Sequence, residues 1–92
     1  MATLLTVDNH VTKVEPKNSK EFTLVELQGF VGGYIEMVPT EADDVYLVIN
    51  KEGKLVNLPA NELATALVKN VLRPGDYIAG DALLATLKEL GE

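Results

Sequence analysis

Apolar and polar positions change their spacing several times along the chain, and each change marks an expected element. Ala2 to Val7 and Val11 to Glu15 are short stretches rich in β-branched residues, with the turn formers Asp8, Asn9 and His10 between them. That pattern predicts a first hairpin. Pro16 to Lys20 breaks it with a loop. From Leu24 the spacing becomes helical: Leu24, Leu27 and Val31 share one face, with Phe30 beside them.

The start of this helix carries two local signals. Thr23 followed three residues later by Glu26 is a capping box, in which each side chain satisfies a backbone amide of the other's end. Phe22 and Leu27 stand at the positions of a hydrophobic staple. Gly32 and Gly33 end the helix, because glycine enters the left-handed region without a Cβ clash. Gly29, inside the helix, is read as a place where a neighbour comes close.

Tyr34 to Val38 then alternates as a strand, with Ile35 and Met37 on one face and Tyr34, Glu36 and Val38 on the other. Thr40 to Asp44 is a polar loop. Val45 to Asn50 is the most apolar run and reads as a central strand, with Lys51, Glu52 and Gly53 turning the chain so that Lys54 to Asn57 pairs back on it. Pro59 to Leu72 reads as a second helix, capped by Asn61 and burying Leu63, Leu67, Val68 and Val71. Arg73 to Asp76 is a turn and Tyr77 to Ala79 a short strand. From Asp81 the leucines at 83, 84, 87 and 90 favour a short C-terminal helix, although Ala82 to Thr86 also suits an edge strand. The expected fold class is α+β: one domain over residues 1–92, with a small antiparallel sheet and two main helices.

Composition narrows the chemistry. The absence of cysteine excludes disulfides, thiolate zinc sites and thiol catalysis. His10 is the single histidine and sits in a turn. Fourteen acidic against eight basic residues give a formal charge of −6, which repels phosphate backbones and argues against direct nucleic-acid binding. No apolar run approaches the roughly 20 residues that cross a bilayer, and no signal-like start is present, so a cytoplasmic protein without a membrane partner is expected.

The glycines of GFVGG invite a phosphate-loop reading, but the order is reversed. A phosphate loop follows a strand and opens a helix. Here the glycines close a helix and open a strand. Asp43, Asp44 and Asp76 form no compact calcium loop, and no nucleophile motif surrounds a serine or threonine. No catalytic residue, metal or cofactor is therefore assigned, and the chain is read as not an enzyme. Tyr34, Tyr46 and Tyr77 stand out as flat, amphipathic contact residues.

The segments VGGYIEMVP, VINKEGKLVNLPANELATAL and GDYIAGDALL together resemble domain of unknown function family 3846, small proteins encoded by phages, plasmids and other mobile elements. Gly32, Gly33, Tyr34, Asn50, Gly53, Leu58, Pro59, Asn61, Ala64, Thr65, Gly80 and Asp81 stand at family-like positions. Glu62 and Leu63 depart from the basic residues usual after the LP-x-N segment, which argues against an anion site there. The resemblance implies a mobile-element accessory role and no reaction. The leading expectation is a non-catalytic binding protein acting in the host cytoplasm on a host protein, for example by inhibiting or sequestering a component of antiviral defence. The alternatives are a small-ligand or nucleotide binder and a structural or assembly protein, and a second copy of the chain, in a homo-oligomer, is among the partners considered. Ligand or partner contacts are assigned to Tyr34, Glu36, Asn50 and Asn61.

Overall fold

The computed structural model describes residues 1–91. Its centre is a five-stranded antiparallel sheet: β1 (Ala2–Leu5), β2 (Val11–Val14), β3 (Ile35–Pro39), β4 (Val45–Asn50) and β5 (Ala82–Thr86), in the order β2-β1-β5-β4-β3. Two short helices, α1 (Leu24–Val31) and α2 (Glu62–Leu67), flank it. The architecture is thus mainly β, which corrects the expected α+β class with two main helices. The expected second helix shrinks because Val68 leaves helical dihedrals, at φ −114° and ψ 18°, and the chain goes on to Leu72 in turns.

The sheet has apolar residues on both faces, and each face has its own cover. Phe22, Leu27 and Val31 pack with Ala2, Val48, Leu83 and Ala85 on one side. Ala64, Val68 and Ile78 pack with Leu5, Leu47 and Ala82 on the other. Neighbouring residues of one strand divide between the two cores, as the pleat requires: Leu47 and Val48 in β4, Leu83 and Leu84 in β5.

That two-sided burial explains the main correction at the C-terminus. Ala82–Thr86 is a strand, paired with β1 through Thr3↔Leu84 and with β4 through Leu47↔Leu84. A strand buried on both faces is apolar at every position, so its leucines imitate a helical repeat. What tells against a helix is tertiary: β1 and β4 each offer an edge, and β5 satisfies both. Leu87 and Leu90 belong to the turns that follow, with the Leu90 amide donating to the Thr86 carbonyl.

The same accounting corrects the Lys54–Asn57 strand. β4 is already paired with β3 and β5, so no edge of it is free for a third partner. Residues 51–57 instead coil through successive turns, with Val56 N–H donating to Glu52 C=O and Leu58 N–H to Gly53 C=O. Gly53 is buried there, and a Cβ on it would lie 2.7 Å from the Ala79 carbonyl oxygen. The expected Tyr77–Ala79 strand reduces to a single bridge, Ala60↔Ala79.

α1 forms as its local signals require. Thr23 and Glu26 make both halves of the capping box, and Gly32 ends the helix at φ 80°. Phe22 packs edge-to-face on Phe30 with ring centroids 5.8 Å apart. Leu24 does not join the buried face; it is 57% exposed. Gly29 meets no neighbour within 4 Å, so the inferred close approach is absent.

Candidate functional site

The last turn of α1, the entry to β3 and the exit of β4 converge at one end of the sheet. Asn50 holds them together. Its side-chain Nδ2 donates to the Val31 carbonyl at 3.1 Å and its Oδ1 accepts from the Glu52 amide at 2.8 Å. Gly33 runs against this amide, where a Cβ would come within 2.9 Å of Nδ2. The Lys51 amide in turn donates to the Tyr34 carbonyl at 2.8 Å. Asn50 is therefore a buried brace, and the residue it sets in place is Tyr34.

Tyr34 projects outward and is 67% exposed. Two hollows of about 290 and 510 Å³ meet around it, sharing Gln28, Tyr34 and Glu52. Leu24 and Val56 line them as well. Both are exposed apolar residues, so Tyr34 has an apolar neighbour in each hollow, with Gln28, Lys51 and Glu52 interspersed.

On the other face of β3 lies a groove of about 340 Å³ lined by Glu36, Val38 and Ile49, so Tyr34, which precedes the strand, does not share the face of Glu36 and Val38 that the alternation predicted. The groove's rim carries Lys54, Asp76 and Tyr77. Lys54 Nζ is bonded to Asp76 Oδ1 and lies 5.2 Å from the centroid of the Tyr77 ring. The bond with Asp76 raises the Lys54 ammonium above its ordinary value, and the same bond, followed by the Tyr77 amide, lowers the Asp76 carboxyl. Both groups are thereby held further from neutral proton exchange. Glu36 is exposed and has no salt-bridge partner among the described residues.

Asn61 lies elsewhere, fully buried beneath α2. Its Nδ2 donates to the Leu5 and Gly80 carbonyls, each at 2.9 Å, and its Oδ1 accepts from Ala64 N–H at 3.0 Å. Every polar atom of the side chain is used. The structure thus brings Tyr34, Glu36 and Asn50 to one end of the sheet and gives Asn61 a scaffold role. Lys54, Leu24, Gln28 and Val56 at this surface were not singled out in the sequence. For Leu24, Lys54 and Val56 the signal is small, an exposed apolar or charged residue in a helix or turn where nothing local demands it; Gln28, half-buried and uncharged, carries none.

The family described as Domain of unknown function (DUF3846) matches residues 2–92. The chain belongs to this family. No curated protein and no solved structure matches it.

Most of the residues on which the resemblance was drawn from the sequence are accounted for by packing. Asn50 and Asn61 are bonded hubs, Gly53 admits the Ala79 carbonyl, Thr65 Oγ1 donates to Asn61 C=O, and Asp81 Oδ1 accepts from the Val7 amide. Tyr34 differs from these, a large side chain set out in solvent. Among the described residues no cluster of three metal-ligating side chains occurs, and no helix is long and apolar enough to cross a membrane.

Proposed function

We propose that this DUF3846 domain is a non-catalytic protein-binding module whose contact surface is the β3 end of the sheet, centred on Tyr34. The observation that carries the reading is the exposure of Tyr34, held in place from below by the buried Asn50 brace, between hollows of mixed lining that reach the apolar Leu24 and Val56. Tyrosine in such a place offers large apolar area, a hydroxyl and little rotamer entropy to lose. The charged groups beside it suit recognition better than catalysis, since Lys54 and Asp76 neutralise each other. The negative overall charge favours a protein partner over nucleic acid. The setting we propose is that of a phage or mobile-element accessory protein, acting on a host component in the host cytoplasm.

The test compares tagged wild type and Tyr34→Ala purified from the same host background, by native mass spectrometry and by capture of co-purifying proteins. Wild type should carry a stoichiometric protein partner, and Tyr34→Ala should bind that partner at least about tenfold more weakly. The variant's melting midpoint should stay within about 3 °C, because an exposed side chain contributes little to stability. A reproducible small-metabolite mass in place of a protein, or equal capture by the variant, would refute the reading.

A further inference from the structure

β3 ends the sheet, and its hydrogen-bond parity shows which of its backbone groups lack a partner strand. The Lys51 amide donates to Tyr34 C=O, so the bonded pairs with β4 recur at Glu36–Ile49 and Val38–Leu47. The same parity holds across the sheet, where Thr6 N–H donates to His10 C=O and Leu87 N–H to Asp44 C=O. Ile35 and Met37 stand between the bonded pairs, and their N–H and C=O groups point away from β4. They form a short open edge, closed by Pro39, which has no N–H to offer.

A second copy of the chain fits this edge poorly in the three antiparallel registers that overlap it most. Centring the pair on Glu36 sets Glu36 opposite Glu36 of the second copy on the same face, a like-charge contact. Centring it on Met37 sets Ile35 opposite Pro39 and loses a bond at each end. Centring it on Ile35 brings Met37 against Gly33, whose N–H is already held by the Gln28 carbonyl. The formal charge of −6 adds repulsion between copies.

An extended segment with a cation at the right place meets none of these objections. We propose, building on the protein-binding reading above, that the β3 edge takes up an extended segment of a partner protein by strand addition, with a lysine or arginine of that segment opposite Glu36. Side chains of an added strand alternate between two faces. On one face they enter the groove that holds Glu36 and Val38, where Lys54 is tied to Asp76 and Glu36 has no salt bridge among the described residues. On the other they reach the hollow beside Tyr34, Ile35 and Leu24. Backbone bonds to Ile35 and Met37 supply affinity, and Glu36 supplies selectivity.

The experiment titrates the whole ¹⁵N-labelled protein with synthetic peptides of alternating threonine and valine that differ only in a central lysine, arginine, threonine or glutamate. The lysine and arginine peptides should slow hydrogen exchange at the Ile35 and Met37 amides and bind at least about fivefold more tightly than the glutamate peptide. Glu36→Lys should reverse that order. Three results overturn the proposal: affinities indifferent to the central residue or absent up to about millimolar concentration, protection at Val11 and Lys13 of β2 instead, or a peptide-free dimer in sedimentation with Ile35 and Met37 protected. Failure with these peptides while Tyr34-dependent capture persists removes strand addition alone; loss of both removes the protein-binding reading as well.

Discussion

Two asparagines show how one residue type acquires a role from its depth. Asn50 and Asn61 both cap or turn the chain locally, which their sequence neighbourhoods announce. Only the folded protein adds the second partner: Val31 for Asn50, and Leu5 and Gly80 for Asn61. Removing the Asn61 side chain strands two carbonyls and an amide in a dry interior, and each such group costs about 1–3 kcal/mol. Asn61→Ala should therefore lose about 2–4 kcal/mol in urea denaturation. Asn61→Asp should be at least as damaging, because a carboxylate would face two carbonyl oxygens where the amide donated to them. A loss under about 0.5 kcal/mol for both variants would show that water replaces the amide there.

At the scale of elements, the molecule depends on β5. It is the middle strand of five, it joins the β1–β2 hairpin to the β3–β4 pair, and Leu83 is wholly buried. Leu83→Ala should cost about 2–5 kcal/mol, within the range for a deeply buried leucine. Native-state hydrogen exchange should rank β5 amides among the slowest, with the outward amides of Val11, Lys13, Ile35 and Met37 exchanging far faster. Fast exchange throughout residues 82–86 would contradict a central place for this strand. α1 was legible in the sequence because its capping box, staple and glycine stop are local chemistry. β5 was not, because the deciding facts are the two open edges of β1 and β4, and no window of sequence contains them.

For the whole molecule, carboxylates tie chain segments that are distant in sequence. Burial raises the Glu89 carboxyl, but hydrogen bonds from the Thr86 amide, the Met1 amino group and the Thr86 hydroxyl outweigh it and hold the group below its ordinary 4.5. Amides of Thr23 and Lys17 lower Glu26, and the Lys54 bond lowers Asp76 from 3.8. Groups depressed in the folded state bind protons more readily when unfolded. Their contribution is thus complete above the ordinary carboxylate values and is lost as pH falls through the lower folded ones. Thermal unfolding midpoints should stay level, as far as these groups decide them, between about pH 6 and 7 and fall steadily below about pH 4.5. Glu89→Gln should flatten part of that acid slope, and an unchanged slope would mean that Glu89 is not depressed.

Local sequence was enough for the first hairpin, the limits of α1 and the strands on either side of the Thr40–Asp44 loop, and the lack of cysteine rules out thiol chemistry. Each depends on neighbours within a few positions, or on residues absent altogether. It also singled out Tyr34 and Glu36, which the fold sets on opposite sides of one open edge. Tertiary structure alone decided that residues 82–86 are a strand, that residues 54–57 are turns and that Asn61 belongs to the scaffold. The reason is common to all three: backbone bonding capacity is shared across the sheet, so the state of one segment follows from which edges the others leave open.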